Sequence, residues 1–378
     1  MLVEIRGVGF VNKGAELMLH AILQKMQEKY PDARFVMTPS INVSPYIKRA
    51  KLGLYQKVTY KKLGIEWGNL VRLITKKRRD MYGLVLDSEI DVVLDASGFA
   101  HGDQWGAKNT IKLKKLTKKW KNNNTKVILL PQAFGPFENS EIKNNMIDLA
   151  NNVDLIFSRE TTSYNYLSSI VKDKSKIYNM PDFTNLVIGI KPKNFNSEKN
   201  NFCIIPNYKM ESKSWSNGKG DYLTFIVKCI KYLQINGKKP FILVHEGKKD
   251  MALAKKISDE VGGLNILTEE DALKVKGIIG ACEGVIGSRF HSLVSSLSQG
   301  IPTLGTSWSH KYQMLFEDYN FKDGILQLDA SDKEIEEKID LMLVEEKREI
   351  LIDSLEVKSK ELKKLSNQMW EKVFETIR

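Results

Sequence analysis

The stretch GVIGSRFHSLVSSLSQGIPTLG, residues 284–305, has the pattern of a strand, a helix and a second strand. The apolar run Val285–Gly287 precedes a helical pattern that starts at Arg289, and Gly300 and Pro302 end that helix before the next apolar run. Two parallel strands need a crossover of this kind between them. The stretch therefore predicts a βαβ unit and places the chain in the α/β class.

The same alternation of short apolar runs and helical patterns extends over most of the chain, with a polar linker at residues 192–201. We predict two Rossmann-like domains facing a cleft, an arrangement like that of GT-B enzymes, followed by a long C-terminal helical tail. The predicted N-terminal, acceptor-side domain is 1–191, the C-terminal, donor-side domain is 202–330, and helices at 331–378 pack back across both. The predicted strands are Leu2–Val8, Arg34–Met37, Val92–Asp95, Lys126–Leu130, Leu155–Ser158, Phe202–Pro206, Phe241–His245, Asn265–Leu267, Gly284–Gly287 and Thr303–Gly305.

The composition favours anionic partners, because 58 Lys and Arg residues face 46 Asp and Glu residues, a net charge of +12. The basic clusters at 76–79 and 108–121 contain one aromatic residue, Trp120, and no nucleic-acid-binding motif, so we expect no nucleic acid and favour an anionic membrane surface. No apolar run reaches the roughly 18 residues of a membrane span, and the N-terminal segment reads as a strand. Three widely spaced cysteines predict reduced thiols, so we expect a cytoplasmic protein that can bind the membrane peripherally.

The helix after Gly287 carries cations where its own dipole is already positive, which costs roughly 0.3–1 kcal/mol unless an anion binds there. With Ser288 as the predicted cap, Arg289 can grip a phosphate or carboxylate, and His291 can donate to the same anion or transfer a proton. The next loop places His310 and Lys311 at another helix start. We therefore predict an anionic donor site in the second half, and no metal.

Three loops of the first half carry candidate acceptor groups, because ligands bind at the carboxyl ends of strands in open α/β sheets. The loop at 7–17 lacks the dinucleotide-binding spacing but can hold an acidic group at a helix start. The loop at 95–106 has the mixture of polar and aromatic residues that suits a sugar, with His101 or Asp103 as the general base. Arg159 follows Ser158, the expected cap of the next helix. The acceptor candidates are Asn12, Glu16, Ser97, Gln104, Trp105 and Gln132.

These motifs together resemble the polysaccharide pyruvyl transferase family, over roughly residues 3 to 325. The most specific part is a Ser-Arg-aromatic-His segment followed by Gly-Ile-Pro and a lysine. The matching pieces are GVGFVNKGAEL (7–17), PQAFGPF (131–137), SRE (158–160), the PDF of MPDFTN (180–185), IPNYK (205–209) and GSRFHSLVSSLSQGIPTLGTSWSHK (287–311).

The resemblance implies transfer of a pyruvyl group from phosphoenolpyruvate, as co-substrate, to a sugar of a cell-surface polysaccharide or its lipid-linked precursor, usually as a cyclic ketal. Arg289, His291 and Lys311 would hold the donor, with His291 as the general acid, and Arg159 would complete that site. The expected partners are this donor and a sugar acceptor that can be polyprenyl-linked. No other cofactor is expected.

Two departures from the family pattern concern the acceptor half. Many members have three consecutive glycines where this chain has Asp95-Ala96-Ser97-Gly98, and Asn-x-Gly-Asp-Glu where it has Asn12-Lys13-Gly14-Ala15-Glu16. They leave the acceptor open. Two other hypotheses stay open as well: a GT-B glycosyltransferase with a nucleotide-sugar donor, and a non-catalytic member of an envelope-polymer assembly line.

Overall fold

The computed structural model describes residues 1–59, 61–62, 65–211, 221–306 and 310–378; for His310 and several residues between 61 and 69 it describes the backbone alone. The chain forms two compact units. The first comprises Met1–Val11, Met18–Asp182 and Ser366–Arg378, and the second comprises Asn12–Leu17 and Phe183–Leu365. The division therefore falls at Asp182, before the linker predicted at 192–201, and the C-terminal segment is shared between the units.

The first unit is built on a mainly parallel sheet in the order β11-β10-β9-β7-β1-β2-β3-β6, with β8 paired to β9. Its central strands are buried on both faces, as expected of parallel sheets. A separate antiparallel pair, β4 and β5, follows β3. The strands are β1 Leu2–Arg6, β2 Arg34–Met37, β3 Tyr55–Lys57, β4 Lys61–Lys62, β5 Ile65–Glu66, β6 Leu84–Val85, β7 Val92–Asp95, β8 Phe99–His101, β9 Lys126–Phe134, β10 Leu155–Ser158 and β11 Ile177–Asn179.

Helices cover both faces of this sheet because the crossovers run in two directions. From β1 the chain steps through β2 and β3 to β6, and from β7 it steps the other way through β9 and β10 to β11. Right-handed crossovers then place the first three helices on one face and the next three on the other. They are α1 Lys13–Lys29, α2 Tyr46–Lys51, α3 Lys76–Met81, α4 Lys108–Lys121, α5 Ser140–Asn152 and α6 Thr161–Ile170.

The second unit contains a five-stranded parallel sheet in the order β14-β13-β12-β15-β16. Its core brings together apolar residues of the strands and the covering helices, including Phe202, Ile286 and Leu293. The strands are β12 Phe202–Ile205, β13 Pro240–Val244, β14 Ile266–Thr268, β15 Gly284–Gly287 and β16 Thr303–Gly305. The helices are α7 Tyr222–Ile235, α8 Gly247–Glu260, α9 Ala272–Gly280, α10 Phe290–Leu297, α11 His310–Asp318, α12 Asp332–Leu343 and α13 Glu345–Ile377.

Two helices contribute to both units. The first residues of α1 belong to the second unit and the rest to the first, while the last residues of α13 belong to the first unit. There Trp370 is buried, and Phe374 contacts Tyr30 edge-to-face with ring centroids 5.9 Å apart. Among the described helices, none combines the length and the apolar character that a membrane span requires.

The predicted α/β class is confirmed, and several strands have the predicted bounds, among them Gly284–Gly287 and Thr303–Gly305. Three expectations were wrong. The segment PQAFGPF does not simply follow a strand, because β9 continues to Phe134. Ser158 ends β10, and the Glu160 side chain caps α6 instead. Likewise Arg289, not Ser288, occupies the cap position of α10, without a side-chain capping bond. The three cysteines are reduced and buried, as predicted.

Candidate functional site

The candidate donor site lies in the second unit, at the carboxyl ends of β12 and β15. These strands are neighbours in the sheet, and the chain order runs outward from them in opposite directions. Such a switch point leaves a crevice that ligands of α/β proteins occupy. The loops that follow β12, β13 and β15 supply the side chains, together with the start of α1, which belongs to the same unit.

Arg289 is the central cation of this site and is already paired with two carboxylates. Its Nη2 donates to both oxygens of Asp250 at 2.6 Å, and its Nη1 pairs with Glu246. Asp250 is fully buried, whereas the Glu246 side chain is 24% exposed. The guanidinium is therefore fixed on one edge by a buried acid and meets a solvent-accessible acid on the other.

A scaffold of hydrogen bonds fixes the loops around this arginine. The backbone N–H of Tyr208 donates to Asp250 Oδ1 at 3.1 Å, and Asn207 Nδ2 donates to the Ser288 carbonyl at 2.9 Å. The Ser288 hydroxyl lies 2.7 Å from the Tyr222 hydroxyl, whose pKa burial raises above its ordinary value. Ser288 is thus fully buried and occupied within the protein, so the structure does not support direct donor contact through its side chain.

His291 lies in the first turn of α10, directly against the start of α1. A β-carbon at Gly14 would overlap the His291 ring, so only glycine permits this approach. The same turn of α1 is capped by Asn12, whose Oδ1 accepts from the Gly14 N–H at 2.9 Å. Lys13 pairs with Glu16 at 3.0 Å. Asn12 and Glu16, predicted as acceptor ligands of the first domain, therefore lie in the second unit beside the donor candidates.

His245 adds a neutral imidazole to the site. It follows β13, is 4% exposed, and its Nδ1 has no hydrogen-bond partner among the described residues. Burial lowers the pKa of His245 well below its ordinary value, and the positive charges of Arg289, His291 and Lys13 lower it further. A buried imidazole that stays neutral between cations can donate or accept one hydrogen bond to a ligand.

Lys311 lies in the first turn of α11, with its Nζ 5.2 Å from the ring centroid of Phe290. Phe290 follows Arg289 directly, so the two basic loops predicted from the sequence lie close together. The His310 side chain lies outside the described part of the chain.

The two residues predicted as general base, Asp103 and His101, make hydrogen bonds within the protein. Asp103 accepts from the backbone N–H groups of Glu138 and Asn139, at 2.8 and 3.2 Å, and so holds the loop after β9. His101 is 1% exposed, its Nδ1 lies 3.0 Å from the Thr110 hydroxyl, and burial lowers its pKa. The carboxylate of Asp103 is occupied by these two hydrogen bonds, and the imidazole of His101 is enclosed by protein. The structure therefore favours neither residue as the general base.

The remaining acceptor candidates separate into buried and exposed groups. The Ser97 hydroxyl donates to Asp95 at 2.6 Å, and Gln132 is fully buried, with its Nε2 3.4 Å from the Asp95 carbonyl. Gln104 and Trp105 are exposed, and the Trp105 ring contacts Phe99 edge-to-face at 5.8 Å. Both exposed side chains are accessible to a ligand.

Arg159 is buried at the start of the β10–α6 connection, and its Nη1 lies 3.2 Å from Asp182 Oδ2. Both residues belong to the first unit. The sequence placed Arg159 in the donor site, but its observed ion-pair partner is this acid of the same unit.

The family model described as polysaccharide pyruvyl transferase matches residues 12–310. The chain belongs to the polysaccharide pyruvyl transferase family. The match includes the Arg289 and His291 segment as well as the loops of the first unit, and it identifies a pyruvyl transferase of polysaccharide synthesis. A search of curated protein sequences found no match.

Solved structures share the fold at low identity. The UDP-GlcNAc 2-epimerase of Neisseria meningitidis, bound to UDP-GlcNAc, has a TM-score of 0.63 at 9% identity, covering 99% of this chain and 100% of that one. The pneumococcal O-GlcNAc transferase GtfA, with UDP and GlcNAc, has a TM-score of 0.60 at 10% identity, covering 100% and 98%. The Methanocaldococcus jannaschii UDP-GlcNAc 2-epimerase has a TM-score of 0.55 at 12%, covering 91% and 93%. The fold is therefore GT-B-like, as predicted.

Sequence reasoning missed the partners of Arg289. Asp250 lies 39 residues from Arg289 in the chain, on a helix whose pattern resembles any amphipathic surface helix. The available signal was positional: Glu246 and Asp250 fall just after a predicted strand, at the edge where the cationic loops also end. His245 carried the same signal.

Proposed function

We propose that this protein transfers the pyruvyl group of phosphoenolpyruvate to a sugar and closes a cyclic ketal on two of its hydroxyls. The supporting observation is the pairing of Arg289, whose inner edge is fixed by buried Asp250 while its outer edge meets the accessible carboxylate of Glu246. A carboxylate or phosphate of the donor can replace Glu246 on that outer edge. The positive charges of His291 and Lys13 act on the adjacent His245 together with that of Arg289, and they favour an anion there.

The proposed reaction balances without an external reagent. A proton is added to the methylene carbon of phosphoenolpyruvate, and oxocarbenium character develops at the neighbouring carbon. One sugar hydroxyl forms a bond to that carbon, the bond to the phosphate oxygen breaks, and a second hydroxyl closes the ketal. One of the two hydroxyl protons replaces the proton that was added to the methylene carbon. The other leaves with phosphate.

We assign the general acid to His291, because it lies at the positive end of α10 next to Arg289 and against the start of α1. His245, held neutral, is assigned a hydrogen bond to the donor. Lys311 supplies further positive charge beside Phe290. No resident cofactor is part of this proposal.

We place the acceptor sugar in the first unit, where Trp105 offers an exposed ring for stacking and Gln104 an amide for hydroxyl groups. The acceptor is a sugar of a cell-surface polysaccharide or of its lipid-linked precursor. Synthesis of such a precursor from phosphoenolpyruvate is expected on the cytoplasmic side.

The donor assignment is tested by calorimetric titration of phosphoenolpyruvate into wild type and three variants. Arg289→Ala should lower the affinity by roughly 100-fold, since removing one partner of a buried charge pair costs about 2–5 kcal/mol. Glu246→Gln should raise it by up to about fivefold, because it removes a competing ion pair of about 0.2–1 kcal/mol. Glu260→Gln, an exposed acid at the end of the same helix, is the control and should change nothing.

UDP, GDP and CMP serve as comparison ligands in the same titrations. Nucleotide binding with no phosphoenolpyruvate binding would overturn the donor assignment and favour a glycosyltransferase with a nucleotide-sugar donor. Weaker binding in Glu246→Gln would show that Glu246 is not displaced by the donor.

A further inference from the structure

A second candidate site lies in the first unit, in a cavity of about 500 Å³. The cavity opens where β1, β2, β3 and β6 end, since it is lined by Gly7, Thr38, Val58 and Asp87, which follow these strands. None of the residues assigned above to the donor or acceptor lines it. The cavity is therefore distinct from the residues assigned to the donor and the acceptor.

The cavity carries an excess of positive charge. Among the lining residues that the structure describes, five carry basic side chains and one, Asp87, is an acid. Part of this charge belongs to a buried network in which Lys57 lies 2.7 Å from Glu4, itself 2.9 Å from Arg6, while Lys119 lies 2.8 Å from Asp87. The basic lining residues are Arg6, Lys57, Arg72, Lys112 and Lys119.

Two of these cations are available to a ligand. Arg72 and Lys112 are exposed, and neither makes an ion pair within the part of the chain that the structure describes. Arg72 comes from the segment after β5 and Lys112 from α4, so different elements bring them to one cavity. A guanidinium and an ammonium placed in this way suit a phosphate.

Seven of the other lining residues are apolar, and hydroxyl side chains and glycines complete the lining. Among the described residues that line the cavity, none is aromatic, so these residues offer a nucleobase no ring to stack on. The apolar lining residues are Ile5, Val8, Met37, Val43, Val58, Leu86 and Leu116.

Exposed apolar side chains continue outward from the cavity. Ile41 is 93% exposed between the lining residues Ser40 and Val43, and Leu73 is 84% exposed next to the lining residue Arg72. Further exposed apolar residues of the same two connections are Tyr46, Ile47, Leu70 and Ile74. Apolar side chains concentrated beside a basic cavity indicate a ligand that joins an anion to a hydrocarbon chain.

We propose that this cavity binds the phosphate of a lipid-linked sugar, with the hydrocarbon chain lying on the apolar side chains around Ile41 and Leu73. The identification of that lipid as the acceptor rests on the proposed function above; the binding itself does not. Charge complementarity selects the phosphate, and the aliphatic surroundings select the lipid over a nucleotide. The acceptor would then be the lipid-linked precursor and not the finished polymer.

The test is a calorimetric titration of the full chain with farnesyl diphosphate, inorganic diphosphate and farnesol as probes. Farnesyl diphosphate should bind at least about tenfold more tightly than either fragment, because it satisfies both parts of the site. Lys112→Glu should lower its affinity about tenfold or more, since a charge-assisted contact is replaced by repulsion. Lys115→Glu, exposed on the same helix but outside the lining, is the matched control and should bind as wild type does.

A double variant, Ile41→Asn with Leu73→Asn, tests the lipid component. Both side chains are exposed, so folding should persist. Farnesyl diphosphate affinity should fall while diphosphate affinity stays constant. If inorganic diphosphate binds as tightly as farnesyl diphosphate, the site takes a water-soluble phosphate and the lipid assignment is overturned.

Failure here is distinguishable from failure of the donor assignment. Phosphoenolpyruvate should bind the Lys112→Glu variant as it binds wild type, because its proposed ligands lie in the other unit. Farnesyl diphosphate that binds equally to wild type and Lys112→Glu, or to neither, overturns this proposal and leaves the donor site untouched. If wild type binds farnesyl diphosphate but not phosphoenolpyruvate, the donor assignment is overturned and this proposal is not.

Discussion

At the scale of single residues, the pairing of Arg289 decides how the donor site is interpreted. A cation at a helix start is unfavourable by itself, and here two carboxylates compensate for it. Burial raises the pKa of Asp250, and the neighbouring Arg289 charge opposes that rise. The pair is therefore a fixed support for the guanidinium, and in the proposed function the donor replaces the accessible Glu246.

Gly14→Ala tests the contact between α1 and His291. The added methyl group would overlap the imidazole, so His291 or the helix must move, at a cost of about 1–3 kcal/mol. In a His291→Gly background, which also removes the His291 β-carbon that would lie 2.7 Å from the added methyl group, the same change should be neutral or stabilising, because alanine favours the helix by about 1 kcal/mol. Melting temperatures of the four proteins measure this coupling. An equal effect in both backgrounds would exclude His291 as the obstacle.

Because of Asp87, the stability of the first unit should depend on pH in the acidic range. Burial alone would raise its pKa, but Lys57, Lys119 and the Trp120 N–H outweigh burial and lower it to about 2. A carboxyl whose pKa is depressed on folding stabilises the protein above its unfolded pKa and loses that contribution as the pH falls toward its folded pKa. With allowance for solvent screening, we expect a contribution of about 1–2 kcal/mol near neutral pH.

Asp87→Asn should accordingly be less stable than wild type at pH 5, and the difference should narrow at pH 3. Urea denaturation at the two pH values measures it. A difference that is constant or widens toward pH 3 would contradict the depressed pKa.

At the scale of elements, the last turns of α13 complete the core of the first unit. Trp370 is 1% exposed, and Lys372 lies 4.3 Å from the ring centroid of Tyr178. Trp370→Ala should destabilise the protein by about 3–5 kcal/mol, the usual cost of removing a large buried aromatic side chain. Glu371→Ala, exposed on the same turn, should change the free energy of unfolding by less than about 0.5 kcal/mol. Equal urea midpoints for the two variants would show that this segment does not contribute to the core.

Periodic sequence patterns predicted some secondary-structure elements and missed others. Buried strands such as Arg34–Met37 and Val92–Asp95 were predicted with the observed bounds. The short strands β3, β6 and β11 were missed, because runs of two or three residues carry no period. Because β3 and β6 were not predicted, the cavity was not predicted either: two of the four strands that end at the cavity are β3 and β6.

At the scale of the whole molecule, the two compact units allow ligand binding to be assigned to one of them. Hydrogen exchange with and without phosphoenolpyruvate should slow at residues 245–250 and 288–293. It should remain unchanged in β7 and β9 of the first unit. Protection confined to the first unit would contradict the proposed location of the donor.

The sequence by itself determined the α/β class, most of the long elements and the clustering of basic side chains at strand ends. Those features depend on neighbours within a few residues, where periodicity, glycine and proline act. Only the tertiary structure decided which of those side chains are free to act. Arg289 meets Asp250 and Glu246, Asp103 caps the loop after β9, and His101 is enclosed, because contacts between residues far apart in the chain set burial and charge.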